Sequence, residues 1–292
     1  YIQNNPSDWK TPKKNGLQIL WITPLRALAQ DLQKAMQEAC DGLDLPWTVA
    51  VRNGDTDAKT RASFKRNPPE CLITTPETLH ILLSQKDSLL LYQNLRCVVV
   101  DEWHELVGNK RGVQIQLALA YLQAKCSHPF MRWAISATLG NLEQAASTLL
   151  GNELPLHIIK ANLQKEIRLT SIFPEEIEKY PWSGHLGLRL VDQVIETIEG
   201  GKSVLLFTNT RSQTEMWYQK ILEIRPDWAG WMAMHHGSLD SSIRTWVENA
   251  LHEGILKVVV CTSSLDLGVD FRPVDRVIQI GSPKGVSRFV QR

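Results

Sequence analysis

The stretch Cys97-Val98-Val99-Val100-Asp101-Glu102-Trp103-His104 decides the fold. An uncharged run rich in valine reads as a strand covered on both faces, and two carboxylates follow it at once. In open α/β sheets, ligands bind beyond the carboxyl ends of the strands. One carboxylate placed there can hold Mg²⁺ through water on a nucleoside triphosphate, and its neighbour can polarise an attacking water. Taken alone, the same pattern also serves as a plain acidic turn.

Working outward, the same unit recurs. Strands are expected at 17–23, 47–51, 71–74, 96–100 and 131–135, with helices at 25–40, 77–84, 112–125 and 141–150. A less regular stretch with three prolines and the run Glu175-Glu176-Ile177-Glu178-Lys179 follows. The alternation then restarts, with helices at 185–199, 212–223 and 241–253 and strands at 203–208, 231–235, 256–261 and 276–280. Strand-then-helix order predicts two tandem α/β domains with mainly parallel sheets. Their expected extents are 1–153 and 185–292, joined by a linker at 154–184.

Composition narrows the function. The 292 residues carry 32 Lys and Arg against 31 Asp and Glu, a net charge of +1. Any nucleic-acid contact must therefore come from local placement of side chains and amides rather than from bulk charge. Hydrophobic residues at 43% and charged residues at 22% argue against disorder. The apolar runs are too short to cross a bilayer. Five scattered cysteines with no C-x-x-C pair predict buried free thiols rather than a zinc site.

Polar residues gather at the predicted strand ends. Thr23-Pro24-Leu25-Arg26 and Thr74-Thr75-Pro76-Glu77 place a hydroxyl at an expected helix N-cap with proline at the first helical position. Ser136-Ala137-Thr138 closes another strand, and Thr208-Asn209-Thr210-Arg211 and Thr262-Ser263-Ser264 repeat the arrangement in the second half. A row of such hydroxyls and free amides could track a phosphate backbone; plain capping is the alternative. Gly108 stands where a zinc-binding H-E-x-x-H helix needs its second histidine, so that reading fails. His235 and His236 are adjacent on a strand, so their side chains diverge and do not form a metal pair. Tryptophans in apolar runs, Trp133 and Trp231 among them, are expected in the core rather than stacked on bases.

In order along the chain come 23–29 (Thr-Pro-Leu-Arg-Ala-Leu-Ala), 74–79 (Thr-Thr-Pro-Glu-Thr-Leu), 101–104 (Asp-Glu-Trp-His) and 136–138 (Ser-Ala-Thr). They are followed by 207–211 (Phe-Thr-Asn-Thr-Arg), 235–239 (His-His-Gly-Ser-Leu) and 262–270 (Thr-Ser-Ser-Leu-Asp-Leu-Gly-Val-Asp). The series resembles motifs Ia, Ib, II, III, IV, the segment before V, and V of the superfamily 2 helicases, with a DEXH rather than a DEAD box. Trp103 in the box, Arg52-Asn53-Gly54-Asp55-Thr56, Lys110-Arg111-Gly112-Val113-Gln114 and the segment 280–289 resemble the large helicase-related (Lhr) family, nearest its ligase-associated DEXH-box branch.

That resemblance implies two RecA-like domains that bind ATP and Mg²⁺. It implies Asp101 as metal ligand, Glu102 as water-positioning base, and His104, Ser136 and Thr138 as the coupling link. Gly268 and Asp270 would contact the nucleotide. Thr23, Arg26, Thr75, Asn209, Arg211 and Thr262 would contact the nucleic-acid backbone. It further implies 3′-to-5′ movement on single-stranded DNA, with RNA or a hybrid as other strands. The implied setting is bacterial, cytoplasmic and nucleoid-associated DNA repair, with an ATP-dependent DNA ligase as partner and no membrane. The family's phosphate loop would fall before Tyr1 and the rest of motif VI after Arg292, so the chain reads as an internal piece that should not hydrolyse ATP by itself. The rival reading is a nucleic-acid-binding module without turnover. A tandem α/β sugar transferase leaves the joint occurrence of these motifs unexplained.

Overall fold

The computed structural model describes residues 15–54, 56–137, 139–151, 156–160, 167–173, 187–266, 274–282 and 289. The chain divides into two compact units, Tyr1–Ile158 and Ile159–Arg292. Among the described residues no helix is long and apolar enough to cross a membrane.

The first unit runs β1 (Ile19–Ile22), α1 (Arg26–Gly42), β2 (Val49–Arg52), α2 (Ala58–Arg66), β3 (Cys71–Thr74), α3 (Pro76–Leu83) and α4 (Leu89–Tyr92). It continues with β4 (Cys97–Val100), α5 (Trp103–Leu106), α6 (Lys110–Lys125), β5 (Met131–Ala134) and α7 (Leu142–Leu150). The sheet order is β2-β3-β1-β4-β5, and every ladder is parallel. β3 and β4 are buried at all positions, as strands covered on both faces must be. Alternation then splits each apolar run between two cores. Leu20, Ile22, Leu72, Val98 and Val100 pack with Leu79, Trp103, Ile115 and Leu119 on one side. Val49, Cys71 and Ile73 pack with Ala29 on the other.

The register is flush at the carboxyl ends. Ile22 lies opposite Thr74 and Val100, Thr74 opposite Arg52, and Val100 opposite Ala134. Thr23, Asn53, Thr75, Asp101 and Ile135 therefore all leave the sheet along one edge.

The second unit holds α8 (Val191–Glu199), β6 (Val204–Phe207), α9 (Arg211–Ile224), β7 (Met232–His235), α10 (Ser241–His252), β8 (Val258–Cys261) and β9 (Arg276–Gln279). Its parallel sheet has the order β7-β8-β6-β9. α8 buries Val191, Val194, Ile195 and Ile198, one stripe at helical spacing. Phe207 lies opposite Cys261 and Gln279, and Cys261 opposite His235, so Thr208, His236, Thr262 and Ile280 share an edge.

The structure corrects four expectations. Trp133 is 56% exposed, not core, because β5 is an edge strand that pairs with β4 alone among the described residues. An apolar run does not reveal whether its strand is central or at the edge. Trp231 does pack against the second core. The helix at 58–66 was not expected, because its residues are polar with little apolar periodicity; Asp57 caps it, accepting from Thr60 N at 2.9 Å. Leu25, not Thr23, is the N-cap of α1, so Pro24 lies ahead of the helix. Of the five free thiols, Cys40 and Cys126 are only half-buried; burial pushes Cys71 up to about 12 and Cys97 up to about 11.

One glycine is fixed by close approach. A Cβ on Gly112 would stand 2.1 Å from Leu106 O, so α6 meets the end of α5 backbone to backbone. Gly112→Ala is expected to cost about 2–3 kcal/mol in urea unfolding, because neither helix end can yield without breaking its own hydrogen bonds. A loss under about 0.5 kcal/mol, the range of neutral surface changes, would show that the contact relaxes freely.

Candidate functional site

Asp101 leaves β4 with only 7% of its surface exposed. Its Oδ1 accepts from Glu102 N at 3.0 Å and its Oδ2 from Trp21 Nε1 at 3.4 Å. Burial raises its pKa above the ordinary carboxylate range, against the pull of those donors and of His104. Glu102 adopts φ 48° and ψ 45°, the left-handed region that a residue with a Cβ enters at a cost. Its carboxylate is partly open, 22% exposed, and burial raises its pKa as well. Two oxygen-donor carboxylates, one nearly enclosed and one reachable by water, form a donor set that suits a hard divalent cation and its hydrated anion.

Trp103 is fully buried and donates from Nε1 to Ala145 O at 2.8 Å, so it anchors the turn and is closed to stacking on a base. Its backbone N–H donates to Ile135 O at 3.0 Å, which ties the acidic turn to the end of β5. His104 Nδ1 lies 3.2 Å from Ser136 Oγ, 3.4 Å from Ala137 N and 3.4 Å from Glu102 Oε2. That nitrogen can accept from the hydroxyl and amide or donate to the carboxylate; the tautomer selects between them. The structure thus brings His104 and Ser136 together. Thr138 lies outside the described residues.

Along the same edge, Thr23 is fully buried and its Oγ1 has no hydrogen-bond partner. Thr75 is buried too; it is the N-cap of α3, with Pro76 at the first helical position, and its hydroxyl donates to Thr78 Oγ1 at 3.2 Å. Two of the hydroxyls expected along the row, Thr23 and Thr75, are therefore covered. Arg26 opens α1, and its side chain lies outside the described residues.

Two arginines stand out that motif reading left without a role. Arg52 is 7% exposed, and its Nε and Nη1 have no hydrogen-bond partner among the described residues. Burial, then neighbouring Arg61, lowers its pKa. A buried cation beside another cation is a site for an anion. Only the odd placement of an arginine at the end of an apolar strand hints at this in the sequence. Arg111, in the first turn of α6, forks onto Glu77, with Nε to Oε1 at 2.6 Å and Nη2 to Oε2 at 3.2 Å, and Nη2 also reaches Pro24 O at 2.7 Å. Desolvation works to raise Glu77, but Arg111 and local donors outweigh it and hold the carboxyl below its usual range.

In the second unit, Asn209 donates from Nδ2 to Ser282 O at 2.9 Å, and Arg211 pairs with Glu215 at 2.8 Å at the start of α9. Thr262 caps a 3₁₀ turn, Ser263–Leu265, and its hydroxyl donates to Ser264 Oγ at 3.2 Å. His235 is buried between that turn and α10, with Nδ1 2.7 Å from Ser264 Oγ and Nε2 3.0 Å from Glu248 Oε1. Burial, chiefly, lowers its pKa. His236 faces Glu215 instead, Nε2 to Oε1 at 3.5 Å, so the adjacent rings do diverge. Among the described residues no group of three or more His, Cys, Asp and Glu could hold a metal ion. Gly268 and Asp270 lie outside the described residues.

Comparison with known proteins places this geometry. Residues 3–145 match the DEAD/DEAH box helicase family and residues 188–292 the helicase conserved C-terminal domain. The ATP-dependent helicase Lhr-Core of Methanocaldococcus jannaschii is 37% identical over 291 residues, 96% of this chain and 34% of its own. The Lhr helicase/uracil glycosylase of Escherichia coli is 28% identical over 333 residues, 96% of this chain and 22% of its own. The structure of Mycobacterium smegmatis helicase Lhr bound to ssDNA and AMP-PNP superposes with a TM-score of 0.70 at 29% identity, covering 96% of this chain and 38% of that one. The DNA-bound DUF1998 helicase MrfA with AMPPNP, at 22% identity and a TM-score of 0.74, shares the fold and covers 94% of this chain and 39% of its own. Two parallel-sheet units with these motifs at their carboxyl edges are the tandem RecA-like core of a superfamily 2 helicase. Within that class the chain belongs to the Lhr-like helicases. It spans about a third of the length of the Lhr-Core relatives it matches.

The enclosed Asp101 sets a pH test. An acid whose native pKa is raised costs stability above that pKa and nothing below its unfolded value. Asp101→Asn is thus expected to raise Tm at pH 7 without ligand. The gain should shrink as pH falls through the raised native value and vanish below the ordinary Asp value of about 4. A gain that persists at low pH, or a loss at pH 7, contradicts the burial account.

Proposed function

We propose that this chain is the motor core of an ATP-driven nucleic-acid translocase and helicase. The reading extends to 3′-to-5′ movement on single-stranded DNA in repair, in the manner of the ligase-associated DEXH-box branch. The observation that carries it is the acidic turn: a strained Glu102 beside an enclosed Asp101 at the carboxyl end of a central strand. Relatives named as ATP-dependent helicases, and an Lhr structure containing ssDNA and AMP-PNP, support it.

In this reading Asp101 holds Mg²⁺, which when bound draws charge from the transferring phosphoryl oxygens. Glu102 orients the attacking water and takes its proton, which its partly open carboxylate and raised pKa favour. His104, Ser136 and Thr138 carry the state of that turn onward. Gly268 and Asp270 of the second unit contribute to the nucleotide. Arg26, Asn209, Arg211 and Thr262 meet the strand's phosphates, and the buried Thr23 and Thr75 fix the loops that do so. Arg52 joins them as an anion contact. Hydrolysis then alters affinity for the strand, which biases successive states along it.

The test uses the chain expressed with its flanking coding sequence. Glu102→Gln should lower single-strand-stimulated ATP turnover about 10²–10⁴-fold while oligonucleotide binding persists. Turnover at the wild-type level removes Glu102 from the role. A wild-type protein that binds oligo-dT yet turns over no ATP favours the non-hydrolysing module. Parallel assays with single-stranded DNA, RNA and neither decide the strand.

Arg52→Met gives an independent check on the 292-residue chain. Removing a buried charge that has no anionic partner among the described residues should leave Tm unchanged or higher. Oligo-dT binding should weaken, and its log–log salt slope should fall by about 1. Unchanged affinity and slope exclude Arg52 from the strand contact.

A further inference from the structure

The loop at Pro24 and the first turn of α3 at Glu77 stand apart in sequence from each other and from the acidic turn, yet one side chain, at the start of the helix packed on α5, joins the first two. We propose that Arg111 is a positioning residue that couples the acidic turn after β4 to the loops proposed to hold the strand. The inference rests on the helicase reading and deepens it.

The linkage is continuous. α5 begins directly at the acidic turn and carries His104. Its last carbonyl, Leu106 O, is in backbone contact with Gly112, where no Cβ fits. Asn109 bridges the gap: its Nδ2 donates to Glu105 O at 2.6 Å, and its Oδ1 accepts from Arg111 N at 2.9 Å and Gly112 N at 3.2 Å. A shift of α5 therefore displaces the backbone that carries Arg111. The guanidinium in turn grips Glu77, two residues past Thr75, and Pro24 O, one residue past Thr23. His80, whose Nε2 meets Gln114 O at 2.8 Å, adds a second tie between α3 and α6 but does not reach the Pro24 loop.

The alternative is a surface ion pair that only adds stability. Glu77 and Arg111 are both substantially exposed, and exposed pairs add little. The third contact is what such a pair would not need. Nη2 bonds a carbonyl 87 residues away in the chain while Nε and Nη2 together hold both oxygens of Glu77, an arrangement that spreads over two nitrogens of a planar fork. Lysine keeps the charge, but all three of its donors leave from one nitrogen, so it cannot reproduce the two-nitrogen fork.

The test compares wild type, Arg111→Lys, Arg111→Ala, Glu77→Ala and the double variant Glu77→Ala/Arg111→Ala, each expressed with its flanking coding sequence. ATP turnover is measured with and without oligo-dT, and oligo-dT affinity with and without AMP-PNP. Both Arg111 variants are expected to keep basal turnover within about twofold and lose roughly tenfold in stimulation by oligo-dT. The effect of AMP-PNP on oligo-dT affinity should shrink in parallel, a readout that a purely structural role would leave unmoved. The double variant should be no worse than Arg111→Ala, because one linkage is lost once. Wild-type stimulation in Arg111→Lys, or basal and stimulated turnover falling in proportion, overturns the coupling role alone. A wild type whose turnover ignores oligo-dT overturns the helicase reading and this inference together.

Discussion

A carboxylate at the end of a strand that water does not reach is the constraint from which the first unit follows. β4 is apolar at every position because both of its faces are covered. Its chain can therefore turn polar only where the sheet ends. Flush parallel register brings the neighbouring strands to an end in the same row, so their polar residues emerge there too. The core that stabilises the sheet and the edge proposed to carry the chemistry are one arrangement seen from two sides. Asp101 bears the cost, since the same burial that holds β4 in place withholds solvent from its charge.

What surrounds that carboxylate is built from directional contacts. The left-handed turn at Glu102 sends the chain into α5, and Trp103, fully buried, locks that exit. His104 then faces the end of β5 through a single nitrogen with competing partners. The second unit follows the same plan with other residues. His235 is clamped between Glu248 and Ser264, and Ser264 fixes the Thr262 turn. In both units a buried imidazole at the carboxyl edge holds a neighbouring hydroxyl turn. At His235 the two nitrogens of one buried ring bond in different directions, which a histidine can do.

The strands of both sheets were legible because apolar runs bounded by polar turns have few other ways to fold, and 71–74 coincides with β3 to the residue. Helix α2 was not, since its residues bury too little to leave a periodic trace and only Asp57 marks its start. Trp133 misled because sequence records hydrophobicity but not which strand lies at the rim. At the site, Asp101, Glu102, His104 and Ser136 were legible from their order along the chain. The burial of Thr23 and Thr75 was not, because a hydroxyl after a strand looks the same whether it caps, packs or points outward. Arg111 was seen only as part of a family-like segment. Its role depends on a carbonyl 87 residues away, which no local pattern encodes.

Four of the places where the first unit breaks local rules lie on or beside one edge; others, such as the left-handed Asp44 and Asp87 and the hydroxyl of Tyr92, unpartnered among the described residues, lie elsewhere. Glu102 sits in a conformation that disfavours its side chain and Asp101 is a carboxylate short of solvent; among the described residues Thr23 has a buried hydroxyl without a partner and Arg52 is a buried cation without an anion. Each costs stability, and the apolar strands behind them supply none of the missing partners. Distributed at random, such departures would be defects. Those on this edge are the ones the proposed function would put to use, with a cation at Asp101 and an anion at Arg52. Charge and hydrogen-bonding demand at this edge thus agree with the proposed contacts to phosphates and to a metal-bound triphosphate.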